Sequence, residues 1–220
     1  MKLTEAQLKE IRNYLLAGPR YQETYNEIYD HIVNTLEDTE GEYDIDLVAQ
    51  IIEEDFCSFP EIVLQEEIYK KQINKKYASQ LWQEALNTFK FPEVFNNLLL
   101  VLMYGLLYRP AVHGDMISKI MYPSIWILSS TPALFYLGKR YFIDRNFLKT
   151  SIKYDFLHKT WILGLLQIQL FGYLFVSKHS PFNLSPESRY QFVFLVYFLT
   201  SIYVRAFIKF YNKKISVLAV

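Results

Sequence analysis

The chain has 220 residues, a formal net charge of zero and a mean hydropathy of +0.04, with 51% hydrophobic and 17% aromatic residues. Residues 1–90 hold 9 Lys/Arg and 18 Asp/Glu, a net charge of −9, whereas residues 91–220 hold 14 and 5, a net charge of +9. This division indicates a polar part and a strongly apolar part, and the overall charge therefore predicts nothing about partners.

Cys57 is the only cysteine, which excludes an internal disulfide and a multi-cysteine metal site. We expect its side chain to be small, buried and inert, as in a protein of a reduced compartment. The amino terminus is polar from its first residues, so the sequence predicts neither a cleavable signal peptide nor a transit peptide.

Residues 1–90 are predicted to form an acidic domain of about four helices. The first helix begins at Thr4, which can cap it while Gln7 reaches back, and it ends at Gly18-Pro19. The second helix, at about residues 21–37, carries apolar side chains at intervals of three and four: Tyr21, Tyr25, Ile28, Ile32 and Leu36.

A solvated turn at residues 37–44 follows, and a third helix is predicted at about residues 46–56. Pro60 fits the first turn of a fourth helix, which runs to about Lys90. The break at Pro92 then separates this helix from the apolar part of the chain.

The stretch EIYDHIVNTLED in the second helix raises the question of a site, because it brings together Glu27, Asp30 and His31. Glu27 lies four residues before His31, so the two side chains can touch and can supply two metal ligands. A metal site normally needs a third or fourth ligand, and no other histidine lies in residues 1–90. The pattern favours a solvated face over a metal site, with these three residues as candidate contacts to a protein partner.

The order of these segments resembles that of the HAAS-type signalling domains, which precede membrane spans in bacterial proteins. The resemblance is carried by LTEAQLKEIRNYL, YQETYNEIYDHIVNTLED, an acidic turn with Gly41, DIDLVAQIIEEDF and SFPEIVLQEEI, over roughly residues 3–70. The chain is also similar to small, uncharacterised membrane proteins of Bacteroidota. The resemblance implies a cytoplasmic protein-interaction module without catalytic residues, often paired with a transcriptional regulator of the PadR type.

Residues 91–220 contain four apolar stretches that are predicted to cross a membrane, at about 94–112, 117–138, 158–176 and 190–208. Tyr and Trp crowd their ends, as is typical of rings at the headgroup level. Lys and Arg are concentrated before the first stretch, between the second and third, and at the end of the fourth. This alternation predicts four spans with both termini in the cytoplasm of a bacterial cell, in its inner membrane.

Polar side chains inside these stretches are costly in lipid and are therefore candidates for intramembrane contacts. They are Ser130, Gln167, Gln169 and Arg205. Gln167 and Gln169 are two residues apart on a helix and point to different faces, which favours hydrogen bonds between helices over a shared path. Arg205 lies close enough to the end of its span to extend towards the interface.

The loop between the second and third stretches is basic over Lys139–Lys153. Its position predicts contact with anionic lipid headgroups and not with nucleic acid, but opposite charge also allows it to dock on the acidic domain of the same or another chain. No motif for a nucleophile, a zinc protease, a P-loop or a dinucleotide fold is present.

The sequence thus predicts an all-α protein, with a cytoplasmic helical domain at residues 1–90 and a four-helix transmembrane bundle at residues 91–220. Its predicted role is interaction or regulation in the membrane, with a protein partner for the acidic domain, self-association open, and no catalytic, cofactor or metal residues. The alternative is a subunit of a membrane enzyme or transporter whose site is completed by another chain.

Overall fold

The computed structural model describes residues 1–113, 117–142, 149–176, 181–182 and 184–213. These residues form α-helices and two short π-helical segments, and their only strand-like pairing is an isolated bridge between Tyr21 and Thr150. The α-helices are α1 (Glu5–Leu15), α2 (Gln22–Asp38), α3 (Ile45–Phe56), α4 (Phe59–Asn87), α5 (Val94–Val112), α6 (Tyr122–Phe142), α7 (Ile152–Phe171) and α8 (Pro186–Asn212). The π-helical segments are Ile117–Met121 and Gly172–Val176. The predicted all-α class is confirmed.

The first three helices begin and end close to their predicted positions because local signals set their ends. The Thr4 hydroxyl accepts a hydrogen bond from the Gln7 amide at 3.4 Å, and the Gln7 side chain accepts one from the Thr4 amide at 2.8 Å. This is the predicted capping box, which satisfies two amides that the first turn leaves unpaired. Asp44 caps α3 in the same way, by accepting from the Asp46 amide at 3.2 Å.

Cys57 differs from its expected environment. It lies at the end of α3 with φ 64°, a left-handed conformation, and its side chain is exposed. The expectation of a buried cysteine is therefore wrong. Position in the chain decides this, since Cys57 ends a helix in a turn and does not belong to the apolar face before it.

Residues 1–76 and 149–156 form one compact unit, called the N-terminal unit below. Residue 90, where the sequence predicts a domain boundary, lies outside it. The core consists of the apolar faces of α1, α2 and α3 and the start of α4, which recur at helical spacing: Ile11, Leu15, Tyr25, Ile28, Ile32, Leu36, Val48, Ile51, Ile52 and Ile62.

The second compact unit takes in the described residues among 77–145 and 157–220. Helix α8 lies at its centre, with α5 and α6 packed against it, and it carries more buried side chains than any other helix of this unit. Aromatic rings join these helices. Tyr190 of α8 stacks on Tyr104 of α5 with centroids 4.8 Å apart, and Tyr211 meets Phe135 of α6 edge-on at 5.1 Å.

Three helical stretches among the described residues are long and apolar enough to cross a membrane: Val94–Val112, Lys119–Phe142 and Pro186–Asn212. They agree with the first, second and fourth predicted spans. Helix α7 is not among them, because its first turns carry charged side chains, including Lys153, Asp155 and Lys159. A crossing by α7 stays a prediction.

Gly18→Ala is expected to destabilise the N-terminal unit, because a Cβ at this position would lie 2.2 Å from Cδ1 of Phe59. Phe59 packs on the core and its ring lies 5.7 Å from that of Tyr14, so relieving the clash disturbs packed neighbours. The expected cost is about 1–3 kcal/mol, measured as a lower melting temperature of the chain in detergent. Gly138→Ala is the matched control, since a Cβ there meets nothing within 4 Å. Equal effects of the two substitutions would contradict this account.

Candidate functional site

Glu27, Asp30 and His31 lie on α2 with exposed side chains. The closest polar partner of His31 is not Glu27 but Asp55 at the end of α3, with Nε2 and Oδ2 2.7 Å apart. The His31 ring also meets Phe56 edge-on at 5.3 Å. The packing of α2 against α3 therefore fixes His31, whereas Glu27 and Asp30 are exposed on the same helix.

The arrangement at His31 is a surface ion pair, since both side chains are nearly half exposed, at 45% and 44%. Such a pair contributes at most about 1 kcal/mol. Asp55 lies 24 residues from His31, and nothing in the local sequence marks it as the partner. Within the described ranges, no group of three or more His, Cys, Asp and Glu side chains is arranged to hold a metal ion.

The second feature of the N-terminal unit is the segment of residues 149–156, called the docked segment below. The Nζ of Lys149 donates hydrogen bonds to the carbonyls of Leu16, at 2.9 Å, and Pro19. It also lies 5.7 Å from the centre of the Tyr25 ring. Leu16 is the C-cap of α1, so Lys149 places a positive charge near the negative end of the helix dipole and donates to carbonyls that follow the last helical turn.

Burial lowers the pKa of the Lys149 ammonium, and the charge of Glu66 acts in the opposite direction. Glu66 is itself buried, with 3% of its surface exposed, and it accepts hydrogen bonds from the amides of Arg20 and Tyr21 at 2.9 to 3.1 Å. A buried carboxylate thus holds the α1–α2 connection on which Lys149 rests. Satisfied hydrogen bonds are the condition under which such a charge is tolerated inside a protein.

Glu23 completes the other end of the docked segment. Both oxygens of its carboxylate lie 3.2 Å from the Ile152 amide, and one also accepts a hydrogen bond from the Ser151 hydroxyl at 2.5 Å. Ile152 begins α7, so Glu23 of α2 supplies the negative cap that the first turn of α7 requires. The Thr150 carbonyl accepts from the Gln22 amide at 3.2 Å and adds a backbone contact.

An ion pair between Lys70 of α4 and Asp155 of α7 closes the same surface, with Nζ and Oδ2 2.7 Å apart and both side chains about one-fifth exposed. Burial alone would lower the pKa of Lys70. Its hydrogen bonds to Asp155 and Tyr21 outweigh burial and raise that pKa above its ordinary value. Contacts from α1, α2 and α4 therefore hold the docked segment.

The predicted basic loop Lys139–Lys153 falls partly outside the described residues, at 143–148. Of its described part, Lys149 donates to backbone carbonyls of the N-terminal unit, and docking of the loop on the acidic domain through opposite charge stays a prediction. Contact between this loop and lipid headgroups stays a prediction.

Arg205 belongs to a polar cluster where the start of α5 meets the end of α8. Its guanidinium donates to the side-chain oxygen of Asn97 and lies 3.7 Å from a carboxylate oxygen of Glu93. Asn97 is buried and donates to the Thr88 carbonyl at 2.9 Å, while Lys209 pairs with Glu93 at 3.0 Å. The sequence singled out Arg205 but did not link it to Glu93, which balances its charge, or to Asn97, which accepts its hydrogen bond.

A related pair joins the end of α4 to the residue after α8. Lys213 Nζ lies 3.1 Å from an oxygen of Glu84, which is only 14% exposed. Burial would raise the pKa of Glu84, but hydrogen bonds from Lys213 and Asn87 prevail and lower it. Glu84 therefore stays charged, and the two helix ends are held together.

The four predicted intramembrane contacts do not share one cavity. The Ser130 hydroxyl donates to the Trp126 carbonyl of its own helix at 2.8 Å. Gln167 is exposed, whereas Gln169 lines a narrow crevice with Ser129. Arg205 lies in the separate cluster with Glu93.

No protein-family model matches the chain, and neither curated proteins nor solved structures provide a match. The fold therefore defines only the class of protein: the residues that the structure describes are helical, and three of their helices are candidates to cross a membrane. The resemblance to HAAS-type domains stays a proposal.

Lys149→Met is expected to destabilise the N-terminal unit, because the carbonyls of Leu16 and Pro19 would lose a charged donor. The expected loss is about 1–3 kcal/mol, measured as a lower melting temperature of the full chain by circular dichroism in detergent. Lys9→Met removes an exposed lysine from α1 and is the matched control. If both substitutions shift the melting temperature equally, the docked segment does not depend on Lys149.

Proposed function

We propose that this chain is a multi-span membrane protein whose N-terminal unit is a non-catalytic interaction and regulatory module. The observation that carries the proposal is the docked segment: residues 149–156, which include the first residues of α7, form one compact unit with residues 1–76. A module of this kind responds to a partner through its exposed surface and through the chain segment that completes its fold.

The order of helices and the acidic α2 support a module of the HAAS type. Its core is formed by the first helices, and its polar surface keeps Glu27 and Asp30 exposed. Two adjacent carboxylates fit a basic partner surface, since hydrogen bonds between unlike charges are the strong ones. The partner proposed is therefore a protein that presents Lys or Arg to α2.

Four crossings are part of the proposal. Helix α7 continues into the π-helical segment Gly172–Val176, and the run from Thr160 to Val176 is free of charged residues. Crossing by this run agrees with the alternating basic loops and leaves both termini in the cytoplasm, at a bacterial inner membrane.

One observation favours the alternative, a subunit of a membrane enzyme or transporter. Ser129 of α6 and Gln169 of α7 line the same narrow crevice, as polar residues of a shared path would. The crevice holds neither Arg205 nor Gln167, so the interaction module has the wider support.

The partner is tested by purifying the full chain in mild detergent from its own membranes, as wild type and as Glu27→Gln with Asp30→Asn. Removal of two exposed charges is expected to lower the recovery of a bound protein about tenfold or more, because each charged hydrogen bond contributes about 1.5–3 kcal/mol. The His31–Asp55 pair is left intact by these changes.

The matched control is Glu40→Gln with Glu42→Gln, which removes two exposed carboxylates from the turn after α2. Recovery should be unchanged in this variant. Equal recovery of the bound protein with wild type and both variants would contradict a partner at Glu27 and Asp30. Equally lowered recovery with both variants would mean that net charge, and not these two positions, determines binding.

The four crossings are tested by labelling single cysteines with a membrane-impermeant maleimide in intact cells, in a Cys57→Ser background. His113→Cys and Glu187→Cys, both at exposed positions, are expected to react, whereas Tyr141→Cys should react only after permeabilisation. Reaction at residue 113 without reaction at residue 187 would mean that α7 does not cross.

A further inference from the structure

The end of α4 and the turn before α5 expose an unusual set of large apolar side chains. Trp82 is 66% exposed, Phe89 51% and Phe91 80%, and Leu86 is nearly half exposed. All four belong to the second compact unit. A stripe of this size in contact with water is rare in a soluble protein and marks a surface that something covers.

The stripe is built by helical spacing. Trp82 and Leu86 are four residues apart on α4 and therefore share one face. Phe91 then meets Phe95 of α5 edge-on, with ring centroids 5.7 Å apart. Phe95 is itself 60% exposed and opens the outward surface of α5, which continues through Leu98, Leu99 and Leu102.

Continuity with α5 identifies what covers the stripe. α5 is one of the helices long and apolar enough to cross a membrane, and only 11% of its apolar window is buried within the protein. Exposed apolar side chains are thus present on the candidate span, in the turn before it and at the end of α4, and the Phe91–Phe95 contact links the turn to the span. A lipid surface is the one occupant that covers all three.

The composition of the stripe fits the boundary between headgroups and acyl chains, where tryptophan is enriched and lysine extends its charge to the phosphates. Lys90 is exposed between Phe89 and Phe91. The charged groups on the inner side of this region have partners already, since Glu84 pairs with Lys213. Lys90 is the only charged residue among the exposed side chains from Trp82 to Phe91.

We propose that residues 82–91 lie in the interface of the bilayer, with Trp82, Phe89 and Phe91 inserted at headgroup level and Lys90 directed to lipid phosphates. The stretch anchors the end of α4 along the membrane before α5 enters it. This inference rests on the membrane location proposed above.

The test places nitroxide labels at Trp82→Cys, Phe89→Cys, Leu102→Cys and Glu40→Cys in Cys57→Ser full chains. Each chain is reconstituted in nanodiscs of phosphatidylcholine and phosphatidylglycerol. The ratio of oxygen to nickel-chelate accessibility is expected to be highest at 102, lowest at 40 and intermediate at 82 and 89.

Values at 82 and 89 equal to that at 40, with 102 deep in lipid, would overturn the anchor while leaving the membrane location intact. A low ratio at 102 as well would instead overturn the membrane location.

A second measurement keeps the Trp82 side chain in place. In Trp126→Phe with Trp161→Phe, Trp82 is the only tryptophan, and the emission of this variant is expected to shift to the blue in nanodiscs. Lipids brominated near the headgroup should quench it more strongly than lipids brominated deep in the chain. Quenching by aqueous iodide alone would show a water-facing ring, and protection from both quenchers would show coverage by protein, such as a second copy; either result overturns the proposal.

Discussion

Helix ends that cannot satisfy themselves are the constraint on which the N-terminal unit depends. The carbonyls of Leu16 and Pro19, in the connection that follows α1, need donors, and the first amides of α7 need acceptors, since no helical turn pairs them. Lys149 supplies the first and Glu23 the second. Each side contributes the group that the other lacks, so the docked segment and the first two helices stabilise each other.

These contacts join parts of the chain that lie far apart in the sequence. Residues 1–76 are acidic and carry a core of their own, yet two of their polar surfaces are completed by residues more than 120 positions away. The start of α7 therefore depends on Glu23 of α2, and the fold of residues 1–76 is completed by a segment that follows α6.

The polar cluster of the second unit also joins two helix ends through charged side chains, in less polar surroundings. Arg205, Glu93 and Lys209 combine one acidic and two basic groups, and Asn97 and Thr88 satisfy the remaining hydrogen bonds. Removal of Glu93 would leave both basic groups without their acidic partner, and in partly buried surroundings this costs more than the pair contributes when intact. The cluster thus connects the start of α5 to the end of α8.

The sequence by itself determined the helical class, the ends of the first helices and three membrane-compatible stretches, because hydrophobic spacing, the Thr4–Gln7 cap and apolar length are local properties. It also identified Arg205 and His31, because their residue types are unusual for their surroundings. Only the tertiary structure decided that His31 pairs with Asp55, that Arg205 meets the charge of Glu93 and the amide oxygen of Asn97, and that Lys149 binds the connection after α1. These contacts join residues 24 to 133 positions apart, and they depend on how whole helices pack, which no local pattern encodes.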